Sequence, residues 1–177
     1  MAISFKKTCR FYQSTTDGPP PSRTVQIAAG QGVWMPGAAC FISEAGLAEL
    51  VDATGSGTAA YHGFLLGTVT AAAAANTEFR MSVLRSTDIY AIYIENNGTD
   101  TAEAQAYVGN DYGVARDATA GSLGYLTMDV NDTANTAVTV VDIMSNVDPE
   151  KHNTTDAPGV ALVQFKQSVI DLRQAAA

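Results

Sequence analysis

The chain has 177 residues, of which 46% are hydrophobic and only 16% charged, and its formal net charge is −8. This length fits one domain, or one domain with an ordered extension, and the apolar fraction is enough for a real core. Nucleic-acid affinity rests on Lys and Arg neutralising phosphates, so an acidic chain with ten scattered basic residues is not expected to bind DNA or RNA.

The N-terminus shows no targeting segment, because Met1 to Phe5 is interrupted at once by Lys6 and Lys7. Synthesis in the cytoplasm is therefore expected, with Cys9 and Cys40 as reduced thiols. Residues 1–37 read as an extended N-terminal arm. Short alternating pieces around Phe5, Phe11, Val25 and Ile27 are separated by Gly18 and by three consecutive prolines, Pro19–Pro21, which hold the backbone in a stiff polyproline II spacer. The apolar residues of this arm need burial. They either fold back on the core or lie across a neighbouring subunit, and on the second option Phe5, Phe11, Tyr12, Val25, Ile27 and Trp34 are the candidate interface.

Residues 38–177 read as a β-barrel or sandwich domain. Its one helix is expected near residues 43–52, with Ser43 as N-cap, Glu44 in the first turn, and Leu47, Leu50 and Val51 at helical spacing. From about residue 58 the period changes to two. Tyr61 to Val69 is an apolar run broken by Gly63 and Gly67, and Ala71–Ala75, too short to cross a membrane, reads as a loop. Phe79, Met81 and Val83 alternate with polar neighbours, as in a strand with one buried face. Ile89 to Ile94 is apolar on both faces, which fits a central strand. Asn96-Asn97-Gly98 is a hairpin signal, since Asn and Gly accept positive φ. Further strands are expected at Ala106–Val108, around Leu126 to Val130, from Ala137 to Met144 and from Val160 to Phe165. Short strands at this spacing, punctuated by Gly, Asn and Asp, indicate an all-β barrel or jelly-roll-like sandwich.

Chemistry-bearing constellations are sparse. Nucleophilic hydrolysis needs a nucleophile, a base and an orienting acid, but His62 and His152 are the only histidines and no Gly-x-Ser-x-Gly elbow exists. Two histidines fall short of a structural zinc set. Asp129, Asn131, Asp132 and Asn135 crowd oxygen atoms together without the Gly and closing Glu of a calcium loop, so Asx turns explain them better. Gly30-x-Gly32 and Gly55-x-Gly57 lack the endings of phosphate-cradling loops. No enzyme activity, metal or cofactor is expected.

Five segments carry a resemblance: Leu66–Val69, Phe79–Tyr90, Ala106–Val114, Leu126–Asp129 and Val138–Ile143. Their order resembles the small β-barrel domains of tailed-phage virion proteins, especially capsid cement (decoration) and head-fibre proteins. The resemblance implies a structural protein added to the outside of an assembled capsid, where it bridges and stabilises major capsid protein subunits. The partner it implies is the major capsid protein, with a homo-oligomer left open, while charge and hydropathy speak against nucleic acid and membrane. An alternative is a receptor- or carbohydrate-binding module of a phage fibre or tail, which would present an exposed aromatic platform, for instance Tyr107, Tyr112 and Tyr125.

Overall fold

Ile89–Ile94 is apolar at every position, and the structure shows why: both faces and both edges of this strand are covered. The structure is a computed structural model that describes residues 9–14, 18–29, 36–43, 45–50, 61, 63–66, 77–116 and 125–170. The strands among these residues are β1 (Arg10–Ser14), β2 (Ser22–Gln26), β3 (Ala39–Ile42), β4 (Ala48–Leu50), β5 (Gly63–Leu65), β6 (Glu78–Val83), β7 (Asp88–Asn96), β8 (Thr99–Asp100), β9 (Asp111–Arg116), β10 (Leu126–Asp129), β11 (Val138–Ile143) and β12 (Val160–Phe165). A four-residue helix, α1 (Met144–Val147), follows β11. The protein is all-β, as the periodicity requires.

β7 is the spine of a closed five-stranded barrel that runs β7-β10-β9-β11-β12 and returns to β7. The β7–β10 pair is parallel and the other four are antiparallel. β12 covers residues 90–93 of one β7 edge, and the β8 hairpin continues that edge at Glu95 and Asn96. β1 and β10 share the opposite edge. The hairpin turn has Asn97 at φ 49° and Gly98 at φ 82°, the left-handed pair that the Asn-Gly sequence promises. Alternation then sorts the side chains. Tyr90, Ile92 and Ile94 enter the main core with Leu126, Met128, Val138, Val140, Val163 and Phe165. Ala91 faces the other way and packs with Met144 of α1, Val160 and Leu162.

The second sheet has the order β2-β6-β5-β3-β4, and a single bridge from Ile27 to Ala48 brings its two edges together. Its own core holds Val25, Ile27, Ala38, Cys40, Ile42, Ala48, Leu65 and Met81. Gly63 sits where β5 crosses β6 closely. A Cβ there would lie 2.1 Å from the Ser82 carbonyl oxygen, so only glycine fits without a shift of backbone. Aromatic rings join this sheet to the barrel. Phe64 of β5 packs 5.6 Å from Tyr90 and 6.0 Å from Phe165, and those two rings meet edge-on at 5.5 Å.

Two sequence expectations change. In place of a helix near 43–52, the described residues form a hairpin: Cys40 pairs Leu50 and Ile42 pairs Ala48. Ser43 caps no helix: its amide and hydroxyl both donate to the Leu47 carbonyl (2.9 and 3.1 Å), and Gly46 takes φ 78° to close the turn. Strand pairing in the buried sheet outweighs the local helical spacing. Ala106–Val108 likewise is not a strand, since Gln105–Tyr107 forms a 3-10 turn.

The boundary at residue 37 also moves. Arg10–Ser14 pairs with β7 in the barrel sheet, and Ser22–Gln26 pairs with β6 in the second sheet over five consecutive residues. Among the described residues of 1–37, these strands are integral to the two sheets, and the proline run carries the chain from one sheet to the other. The Pro21 carbonyl accepts from Val83 N at 2.9 Å, beside the return crossing Leu84–Thr87. Arg85 clamps both crossings. Its guanidinium donates to both carboxylate oxygens of Asp88 (2.7 and 2.9 Å), to Ser14 Oγ (3.4 Å) and to the Gly18 carbonyl (3.1 Å). Ser14 Oγ also donates to Asp88 at 2.9 Å, and Asp88 is wholly buried.

Deleting residues 1–37 should therefore unfold the protein, because Val25 and Ile27 leave the second core and β6 and β7 each lose a partner. Circular dichroism on heating should show no cooperative transition. A truncated chain that melts cooperatively at the full-length temperature would show β1 and β2 to be dispensable.

The clamp makes an asymmetric prediction. Arg85→Ala strands a buried carboxylate, whereas Asp88→Ala leaves a guanidinium that is 27% exposed and reaches water. Arg85→Ala should lower Tm more than Asp88→Ala, and the double variant should lose less than the sum of the two. Equal, additive losses would show that the pair is not coupled.

Candidate interaction surface

Of the six residues assigned to an arm interface, Phe5 and Trp34 lie outside the described residues. Val25 and Ile27 are each 1% exposed and belong to the core of the second sheet, so they cannot meet a partner. Their alternation with polar neighbours is that of a strand with one face on its own core. Phe11 is half-buried, edge-on to Tyr90 at 6.2 Å. Tyr12, 38% exposed, is the most exposed of the described four.

The surface that does project apolar area lies at the end of β5. Leu65 is 1% exposed and Leu66, its neighbour, 51%. All three residues of β5 are buried, whereas Leu66 stands just past its end, where the Leu66 amide is fixed by donating to the Arg80 carbonyl at 2.9 Å. Leu66 forms the ridge between two grooves. One, of about 560 Å³, is lined by Thr24, Leu66, Glu78, Phe79 and Arg80. The other, of about 260 Å³, runs between Arg10 and Phe11 of β1 and the Pro36–Gly37 turn. Arg10 and Arg80 are exposed, and the Arg80 guanidinium donates to Ser22 Oγ on β2. The Leu65-Leu66 doublet was visible in the sequence, but the end of the strand between them was not.

Charge is divided between the two halves of the chain. Residues 88–170, which build the barrel, hold twelve acidic and three basic residues, a net of −9. Residues 1–87 hold five acidic and six basic residues, a net of +1. The barrel surface uses some of its acids internally. Asp111 receives Lys166 Nζ at 2.6 Å and the Thr139 hydroxyl at 2.6 Å, and the hydrogen bond from Lys166 lowers its carboxyl pKa.

Other candidate groupings resolve into structure. Tyr112 and Tyr125 are 8% and 3% exposed, so with the half-buried Tyr107 they do not form an exposed platform. Asp129 Oδ1 accepts the Asn131 amide and Asp132 Oδ1 those of Ala134 and Asn135, which are Asx turns, and Asp129 Oδ1 also accepts the amide of Asn97 in the β7–β8 turn. Among the described residues no group of His, Cys, Asp and Glu is arranged to hold a metal.

Sequence reasoning passed over Glu103, which is 3% exposed. Its carboxylate accepts Ser145 N at 2.7 Å and Val160 N at 3.0 Å, with His152 Nδ1 3.7 Å away. The group ties α1, the start of β12 and the intervening loop together at one end of the barrel. Gly159 permits that approach, since a Cβ there would stand 2.4 Å from the Glu103 amide. A lone Glu in a polar stretch carries no signal of such burial.

Cys9 borders the smaller groove yet is 1% exposed, and Cys40 is fully buried beside Met81 Sδ at 3.1 Å. Burial pushes the Cys40 thiol up to about 12, against a small opposing effect of Arg23, and pushes Cys9 up as well. Thiolate, not thiol, is the nucleophile. Both cysteines should therefore resist a thiol-specific disulfide reagent at pH 8 and react fully once denaturant is added. Fast native labelling of either would show that its element opens readily.

The chain matches no family model, no curated protein and no solved structure.

Proposed function

We propose that this chain is a virion structural protein that decorates a tailed-phage capsid and stabilises it by bridging major capsid protein subunits. The observation that carries the reading is the two-sidedness of the body: a barrel sequence with a net charge of −9 and a second sheet built within a half of net +1. A protein seated on a shell has one side toward other protein and one toward solvent. Acidity on the solvent side keeps a decorated particle dispersed, and a near-neutral side lowers the desolvation cost of contact.

The sequence resemblance to cement proteins supports the same role, and four of its five segments coincide with strands of the barrel or lead into them: Phe79–Tyr90 spans β6 and the start of β7, Ala106–Val114 runs into β9, Leu126–Asp129 is β10, and Val138–Ile143 is β11. A body of two sheets locked by aromatic packing also suits mechanical reinforcement, because force applied to one sheet reaches the other through Phe64, Tyr90 and Phe165. Since Val25 and Ile27 are internal, bridging falls to the folded surface of the body.

The test is reconstitution. Tailed-phage particles assembled without this chain, mixed with the purified protein and sedimented, should carry it down to a saturating stoichiometry and then withstand a higher temperature before releasing DNA. Protein that stays in the supernatant at all concentrations rejects the capsid role.

A further inference from the structure

The capsid reading names a partner but not the surface that meets it, and the following inference rests on that reading. We propose that the Leu66 ridge, with its two flanking grooves and the guanidinium groups of Arg10 and Arg80, is the docking surface, and that it takes a shell-protein surface presenting apolar side chains beside carboxylates.

Three observations converge on this place. Leu66 is the most exposed of the large hydrophobic residues on the described surface, at 51% against 45% for Val147 and 38% for Tyr12. Among the described residues it alone lines both grooves, so an apolar group entering either one contacts it, with Phe79 on one side and Phe11 on the other. Arg10 borders one groove and Arg80 the other, and among the described residues Glu78 is the one carboxylate in the two linings. A central apolar anchor flanked by arginines is the composition that dominates binding at protein interfaces.

Charge complementarity selects the occupant. Two cations against one carboxylate favour an acidic partner surface. Nucleic acid would meet the repulsion of a chain of net −8. A second copy would bring the same −8, so self-association is opposed at low salt. A different protein with local carboxylates and apolar tips meets neither objection.

The experiment uses the full chain, sedimented with the particles described above, in three variants: Leu66→Asp, Arg80→Glu and, as a control on the barrel side, Val147→Asp. Leu66 and Val147 project outward, so melting temperatures should match the unaltered protein. Leu66→Asp should raise the half-saturation concentration roughly tenfold or more, as expected for an anchor lost from a buried interface. Arg80→Glu should weaken binding by a similar factor at low salt and less at high salt, while Val147→Asp should bind normally. If the unaltered chain does not bind, the capsid reading itself falls. Binding that survives both Leu66→Asp and Arg80→Glu leaves the capsid reading standing and overturns this surface. Light scattering that shows an oligomer converted to monomer by Leu66→Asp overturns it differently, by making a second copy the occupant.

Discussion

The arrangement of this protein depends on how its chain crosses between two sheets. It does so once after β1 and again between β6 and β7, and both crossings meet at the Arg85–Asp88 pair. A buried carboxylate without partners would cost several kcal/mol of desolvation. Asp88 escapes this because it accepts from the Arg85 fork and from Ser14 Oγ together. The same guanidinium reaches the Gly18 carbonyl, so one cation fixes the outgoing and returning strands. Arg suits the site better than Lys, since its planar fork meets both carboxylate oxygens while spare N–H groups serve the neighbouring segment.

This junction explains why the two cores act as one body. Arg85 N donates to the Tyr90 hydroxyl at 3.3 Å, and the Tyr90 ring is the hub of the aromatic group that includes Phe11, Phe64 and Phe165. Polar clamp and apolar hub therefore share a residue. Edge-on aromatic pairs contribute about 0.5–1.5 kcal/mol each beyond the area they bury, and here they link β1, β5, β7 and β12, elements drawn from both sheets. Independent motion of the sheets would have to break these contacts and uncover Asp88 at the same time.

How far the sequence reveals this is uneven, for physical reasons. Period-two runs such as Phe79–Met81–Val83 and the apolar Ile89–Ile94 announce strands, because a half-buried or fully buried strand must place its side chains that way. Asn97-Gly98 announces its turn, because few residues tolerate left-handed φ. Long-range pairing has no such local signature. Leu47, Leu50 and Val51 satisfy a helical spacing, and only the presence of Cys40 and Ile42 on a neighbouring strand makes that segment a hairpin. Pro19–Pro21 does mark an extended spacer, but its sequence is the same whether the spacer leads to another subunit or to another sheet of the same one. The exposed Leu66 was hidden for a related reason: it sits in an apolar run that looks wholly internal until the end of β5 at Leu65 is known.

Replacing a docking arm by a strand-mounted ridge changes the physics of the proposed contact. A segment that orders on binding loses conformational entropy at that moment, about 1–2 kcal/mol per residue for the backbone alone, and so yields low affinity for its area. Leu66, by contrast, follows β5 directly, and its amide is already hydrogen-bonded to the Arg80 carbonyl of β6. The two arginines are mounted on β1 and β6, strands paired within the same clamped body. Their geometry is set during folding, so association need not supply that ordering free energy. Such a surface can be small and still useful on a particle, where a copy seated on two shell subunits gains from both contacts at once. The stiffness that the Arg85 junction imposes on the fold is then the property that bridging would require, because a ridge free to move relative to the barrel would transmit no restraint between the subunits it touches.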